Sequence, residues 1–334
     1  MISYKDTDSK EYNENDGGKH IDISVVVPVY GCPGALPELH KRLTSTLSKL
    51  VKEYEIILVD DCDKKNSWAE VAKLCEKDNH VKGFHLSRNF GQPHAITCGV
   101  DYCSGEWLVV MDCDLQDRPE AIADLYKKAM EGYDVVFALR KERKDSAITK
   151  AFSKMFHRLY EFLSGMSYES GKANFSIVNK KVIDNYKKIR EHSRAYQMFI
   201  DWLGFRTTSI DITGDKRFEG KSSYSFMRKM KFAISNITSQ SNKPLYLSAA
   251  LGLFISFCAF IYIIVIIVLA ATGWYDVMGF PTIVASIYLM GGLILAAVGI
   301  VGIYLGNVFN ETKNRPIYVV AESRNVEESY IPRQ

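Results

Sequence analysis

The stretch GEWLVVMDCDLQDRPE, Gly105–Glu120, decides how the rest of the chain is read. An apolar run of the kind that fills the middle of a sheet ends in Asp112 and Asp114, with a third acid, Asp117, just beyond. Side chains alternate across a strand, so the two aspartates are expected on one face and Cys113 on the other. Gathered carboxylates repel unless positive charge sits among them. A hard divalent cation, Mg2+ or Mn2+, meets that need, and such an ion binds through one or two carboxylates together with substrate phosphates. Asp112 and Asp114, with Gln116 in reach, are therefore the expected metal site, and a nucleotide diphosphate is the natural co-ligand. An Asp-x-Asp alone is usually a solvated turn; its place at a strand end, near a second acid pair, sets this one apart.

Outward from that stretch, apolar runs bounded by turn signals predict strands at ISVVVPVY (Ile23–Tyr30), YEIILVDD (Tyr54–Asp61), VKGFHLS (Val81–Ser87), EWLVVMDCD (Glu106–Asp114) and YDVVFALR (Tyr133–Arg140). Helical spacing runs over Leu36–Val51, Ser67–Cys75, His94–Tyr102 and Pro119–Met130. Such alternation predicts an α/β fold, a mostly parallel sheet with helices on both faces. Ligands then bind outside the carboxyl ends of the strands, and the acids are there: Asp60 and Asp61 close the second strand as Asp112 and Asp114 close the fourth. The first strand leads into PVYGCPGALPE, which lacks GxGxxG, and no Walker lysine motif occurs, which disfavours a classical dinucleotide fold and a P-loop.

Among the 334 residues, 47% are hydrophobic and 24% charged, a folded composition; the net charge of +3 is too small to imply nucleic acid. Seven cysteines stand singly, with no CxxC pair, and read as reduced thiols in a cytosol-facing domain, without disulfides or structural metal. His85, His94 and His157 read as ordinary polar or packed residues. The first twenty residues are polar throughout, a loose arm rather than a signal peptide. Pro244–Tyr275 and Val277–Asn310 contain no Asp, Glu, Lys, Arg or His, and each exceeds the roughly 20 residues that cross a bilayer. Basic residues flank the pair (Lys216, Arg217, Lys221, Arg228, Lys229, Lys231 and Lys243 before, Lys313 and Arg315 after), while the connection GWYDVMGF has none, so both ends are expected in the cytoplasm. Phe226, Met230, Ala233 and Ile237 recur at helical spacing with bases elsewhere on the turn, as in a helix lying in the membrane interface. The expected division is 1–20 arm, 21–223 catalytic domain, 224–243 amphipathic helix, 244–310 transmembrane hairpin and 311–334 cytosolic tail.

The succession ISVVVPVYG, YEIILVDD, LSRNFGQPHAITCGVDYCSGEWLVVMDCDLQDRPE, GYDVVFALRKER, RFEGKSSYSFMRKM and two apolar spans resembles the polyprenyl-phosphate glycosyltransferases of family 2. That group has the GT-A nucleotide-diphosphosugar fold and includes bactoprenol glucosyltransferases, undecaprenyl-phosphate aminoarabinose transferases and dolichol-phosphate mannose synthases. The resemblance runs from Ile21 to about Val320, and DLQDRPE is its most specific part. It implies a nucleotide base and ribose pocket at Pro28, Val29, Tyr30, Asp60 and Asp61, and a metal and diphosphate site at Asp112, Asp114 and Gln116. Arg140, Arg217 and the loop carrying Lys221 and Ser222 resemble the cationic groups that meet phosphate. The chain departs from the pattern in three places. Gly31 and Cys32 replace Asn-Glu, GKSSY puts Ser223 at a lysine position that Lys221 can serve, and KANFSIV puts Asn174 where an acid is common.

The implied reaction is inverting transfer of a sugar from a nucleotide diphosphate, UDP-glucose first and UDP-N-acetylglucosamine second, to undecaprenyl or another polyprenyl phosphate at the cytoplasmic membrane. The acceptor phosphate is already anionic, so no general base is needed. Rival readings are transfer to a lipid-linked saccharide, a nucleotidyltransferase, and a membrane scaffold without activity. A homo-oligomeric state is left open.

Overall fold

A computed structural model describes residues 20–140, 158, 161–163, 171–214, 237–238, 241–272 and 279–326. Its first half alternates strand and helix: β1 (Ile23–Val29), α1 (Leu36–Leu50), β2 (Tyr54–Asp60), α2 (Ser67–Lys77), β3 (Val81–Leu86), α3 (Gln92–Tyr102) and β4 (Trp107–Val110). A single 3-10 turn, Pro119–Ala121, leads into α4 (Ile122–Ala129) and β5 (Val135–Arg140). There follow β6 (Lys172–Asn179), α5 (Lys180–Lys188), α6 (Tyr196–Trp202), β7 (Thr207–Ile212), the long helices α7 (Lys243–Ala271) and α8 (Phe280–Thr312), and β8 (Val320–Arg324).

The eight strands form one sheet in the order β7-β5-β6-β4-β1-β2-β3-β8. Pairs β1·β2, β1·β4, β2·β3 and β5·β7 are parallel, while β6 and β8 run antiparallel to their neighbours. Every residue of β1, β2 and β4 is buried, as expected of strands covered on both faces. Along β1, Val25, Val27 and Val29 enter a core shared with α1, α2 and α4, whereas Val26 enters the core under α3, α5 and α6. That period of two sorts one strand between two cores. Glycine permits the closest approach of helix to sheet: a Cβ at Gly99 of α3 would lie 2.3 Å from Cγ1 of Val26.

The strand order turns at β1. From β1 the chain moves to β2 and β3, then crosses back to lay β4 on the other side of β1. The loops leaving β1 and β4 lead to α1 and α4, which cover the same face, and ligands of open α/β sheets bind in the crevice outside such carboxyl ends.

Two findings differ from the sequence expectations. Strand β4 stops at Val110, so Asp112 and Asp114 lie on an irregular segment beyond it rather than on its last residues. Met111 N still bonds to the Val26 carbonyl at 3.1 Å, after which Gln116 N bonds back to Asp114 and Leu115 takes a positive φ of 59°. The chain beyond α8 also returns to the sheet. Val320–Arg324 adds the edge strand β8 beside β3, with Ile317 and Tyr318 buried. Trp68 donates to Glu322 at 3.0 Å, Tyr318 to Asp101 at 2.8 Å, and Asn325 caps the carbonyls of Cys75 and Val81 at 2.7 and 2.8 Å.

Helices α7 and α8 are long and apolar enough to cross a membrane, and the stretches Lys243–Tyr262 and Ser286–Thr312 are not buried within the chain. Each hairpin end is tied to another part of the chain. Lys243 Nζ donates to the Phe162 carbonyl at 2.8 Å, and Glu311 accepts from the His192 amide at 2.9 Å. The amphipathic helix expected over 224–243 and the loop around Asp276 fall almost wholly outside the described residues.

Candidate active site

The crevice outside the carboxyl ends of β1, β2 and β4 is where the predicted acids gather. Pro28 and Val29 end β1 with buried side chains, and Tyr30, 54% exposed, stands at its mouth. The following loop is pinned from β2's side: Asp63 accepts from the Gly31 amide and Lys65 Nζ donates to the Gly31 carbonyl at 3.0 Å. Gly31 holds a φ of +71°, a conformation that suits glycine.

Asp60, 1% exposed at the end of β2, meets Nδ1 of His85 at 2.7 Å, and its Oδ1 is buried without a partner. Desolvation raises its pKa against the pull of His85. The His85 ring stacks on Trp68, which joins the site to β8 through Glu322. Asp61, 3% exposed, turns into the loop between β3 and α3 and accepts from Phe90 N at 2.7 Å, Gly91 N at 2.9 Å and Asn89 Nδ2 at 3.0 Å. Burial still pushes its pKa up to about 6, the backbone donors and Arg88 opposing and Asp60 adding to the rise.

Across the crevice, the segment after β4 carries the second acid group. Asp112 accepts from Nε2 of Gln92 at 2.7 Å on Oδ1. Asp117 is fully buried and takes a two-point contact from Arg140, at 2.9 Å from Nε and 2.7 Å from Nη2. The same Nη2 lies 3.5 Å from Oδ2 of Asp112. Arg140 therefore stands among the acids at the end of β5, its charge shared between Asp117 and Asp112. Desolvation, then repulsion from Asp117, pushes the Asp112 pKa up to about 6 although Arg140 opposes it. Asn174 lies on β6, two residues beyond Ser176, the partner of Val110 at the end of β4. A β-bulge between β5 and β6, at Phe137/Leu139, falls beside it.

The donor set suits a hard cation that arrives with its own oxygen ligands. Among the described residues no three His, Cys, Asp or Glu side chains converge as a complete cage. Two carboxylates, Asp112 and Asp114, with the amide of Gln116 nearby, are the partial set that Mg2+ or Mn2+ uses when waters and substrate phosphates complete the shell. Arg217, Lys221 and Ser222 lie outside the described residues.

One expectation is overturned. Cys32 and Cys113 form a disulfide across the mouth of the crevice, Cα to Cα 6.7 Å. The pair is separated by 81 residues, but β1 and β4 are neighbours, so the loops leaving them bring the two sulfurs together. The other five cysteines are free thiols as expected. Three residues that organise the site received no role from the sequence. Gln92 has no chemical signature in SRNFGQ, Asp117 is quoted in the key stretch without a function, and His85 reads as an ordinary histidine.

The sequence profile of Glycosyl transferase family 2 matches residues 24–209. An uncharacterized glycosyltransferase, YkcC of Bacillus subtilis (strain 168), is 32% identical over 316 residues, 94% of this chain and 98% of that one. A prophage-derived bactoprenol glucosyl transferase of Shigella flexneri is 30% identical over 302 residues, 90% of this chain and 98% of its own. An undecaprenyl-phosphate 4-deoxy-4-formamido-L-arabinose transferase of Proteus mirabilis (strain HI4320) is 32% identical over 305 residues, 89% and 92% of the two chains.

Proposed function

This chain belongs to glycosyltransferase family 2, and from that premise we propose that it passes a sugar from a UDP-sugar to the phosphate of a polyprenol, undecaprenyl phosphate in the first instance. The observation that carries this reading is one arrangement. The acid cluster with Arg140 opens at the carboxyl ends of β4 and β5, in a sheet tied through β8 to two helices able to span a bilayer. A lipid acceptor explains the joining of a nucleotide-sugar fold to a membrane hairpin. The named activities of the Shigella and Proteus relatives support the same acceptor class.

In the reaction an oxygen of the acceptor phosphate bonds to the anomeric carbon as the bond from that carbon to the diphosphate breaks, with inversion, and UDP departs. A phosphate monoester is anionic near neutral pH, so attack needs position rather than a base. Tyr30 and the loop after β1, with Asp60, form the side that receives the nucleotide. Asp112 and Asp114, with Gln116 alongside, would hold Mg2+ or Mn2+, which would supply Lewis-acid relief of leaving-group charge. Arg140, locked by Asp117, keeps the acids from repelling one another before the donor arrives and stays beside the diphosphate afterwards. Arg217 and Lys221 are the cations for the remaining phosphate oxygens. Asn174, on β6 beyond the partner of Val110, is placed to read the sugar; its amide donates as well as accepts. UDP-glucose is the first donor and UDP-N-acetylglucosamine the second.

Orientation follows from the hairpin. Segments before α7 and after α8 build the same sheet, which supports a chain that crosses and returns, and the flanking bases favour the cytoplasm for that sheet.

The test is UDP release by purified full-length protein, with UDP-glucose, manganese and a short polyprenyl phosphate. Release that requires the lipid, and is lost in Asp114→Asn at unchanged melting temperature, is the expected result. Equal release by the mutant at limiting manganese would contradict the assignment.

A further inference from the structure

Asp112 offers two oxygens, and the structure gives them different partners. Oδ1 accepts the Gln92 amide at 2.7 Å, while Oδ2 has Arg140 at 3.5 Å, a distance at the limit of a hydrogen bond. The terminal torsion of an aspartate is broad, so a short bond to one oxygen is what fixes the plane of the other. Gln92 is the first residue of α3, and the turn that delivers it is itself held. Asp61 accepts the Phe90 and Gly91 amides and the Asn89 side chain, and Gly91 adopts a φ of +101° that side chains rarely take. From the other end, the close contact of Gly99 with Val26 sets α3 against β1. The path from β2 to the segment after β4 is thus unbroken: Asp61, the Asn89–Gly91 turn, Gln92, Asp112.

We propose that Asp61 and Gln92 are positioning residues for the metal and diphosphate site. Asp61 anchors the turn, and Gln92 spends Oδ1 of Asp112 so that Oδ2 is presented to the cation that accompanies the donor. This rests on the proposed function and gives Asp61 a second role beside the nucleotide pocket in which the family resemblance puts it: three N–H donors hold the turn to its carboxylate. Hydrogen bonds that orient metal ligands are typically worth about 10- to 100-fold in metal affinity.

The experiment is Mn2+ titration followed by electron paramagnetic resonance, at saturating UDP, on full-length protein in detergent. Wild type is compared with Gln92→Met, Asp61→Asn and the double mutant. UDP affinity in EDTA and melting temperature are measured beside it. Each single change is expected to weaken Mn2+ by about tenfold. The double is expected to lose little more than the larger single, because both act through one turn, and UDP affinity in EDTA should stay within about twofold of wild type in Gln92→Met. Gln92→Asn, whose amide stops one methylene short, repeats the test should the methionine variant fold poorly.

Unchanged Mn2+ affinity in the Gln92 variants overturns the proposal, as do fully additive losses. A fall in EDTA-resistant UDP affinity in Gln92→Met as large as its loss of Mn2+ affinity marks a general disturbance of the donor site and overturns the positioning role. Absence of UDP-dependent Mn2+ binding in wild type overturns the functional reading itself, a different failure from the first three.

Discussion

His94 carries a pH dependence that can be assigned to one side chain. It sits in the first turn of α3, its Nδ1 buried without a partner. Desolvation, then the nearby charges of Arg194 and His192, holds its pKa down at about 4, below the ordinary 6.5. The unfolded chain takes up a proton as pH falls through 6.5, while the folded chain stays neutral until about 4. Stability present above 6.5 is therefore lost progressively down to about 4. At pH 5 the loss is about 2 kcal/mol. Asp61 works in the opposite sense: its pKa of about 6 lies above the usual 3.8, so its contribution is full below 3.8 and lost as pH rises through 6. The expected result is that His94→Gln narrows the gap in melting temperature between pH 7 and pH 5, whereas an unaltered gap would place the acid sensitivity elsewhere. Asp60 ends β2 and Asp61 follows it, as expected, while Asp112 and Asp114, expected to close β4, lie on the segment after it. The contacts of Gln92 and Asp117 were not legible in the sequence, because a neutral amide and a buried partner of Arg140 acquire meaning only when β3, β4 and β5 are brought side by side.

At the scale of elements, α3 is the piece on which the site depends. Its packing on β1 leaves no room for a side chain at Gly99, since a Cβ there would meet Val26 at 2.3 Å. Gly99→Val is expected to destabilise the domain by about 1–3 kcal/mol by overpacking and, by lifting α3, to weaken Mn2+ binding through Gln92. A variant with normal metal affinity and reduced stability would separate packing from positioning. The disulfide ties another pair of elements, the loops after β1 and β4. Alkylation of denatured, unreduced protein is expected to modify five cysteines and leave Cys32 and Cys113 joined; seven modified residues would refute the bridge. Reduction should then lower stability by about 2–4 kcal/mol, since the bond closes a long loop. Strands β1 to β5 were readable from apolar runs and turn signals. The bridge was not, because partners 81 residues apart carry no spacing signature, and β6 and β7 follow segments whose hydrophobic pattern gives no register.

Across the whole molecule, the hairpin and the sheet form one structure. Helix α8 has 33 residues; at 1.5 Å per residue that is about 50 Å, more than the roughly 30 Å of hydrocarbon in a bilayer. Its last turn can therefore reach the sheet domain, where Glu311 meets the His192 amide. The tail beyond it closes the β3 edge, an element hidden in the sequence because it lies beyond two long apolar helices. A cysteine placed at position 276 in a chain lacking exposed thiols should react with an impermeant reagent on intact cells, and tags at Met1 and Gln334 should not. Labelling of either terminus would reverse the topology. The most direct measurement of the central claim is the mass of the lipid product. Full-length protein is incubated with short-chain polyprenyl phosphate, manganese and each of a panel of nucleotide sugars, and the lipid fraction is weighed by mass spectrometry. A polyprenyl phosphate heavier by one hexose, formed with UDP-glucose and absent with Asp114→Asn, is the predicted result. Unmodified lipid with every donor would contradict it.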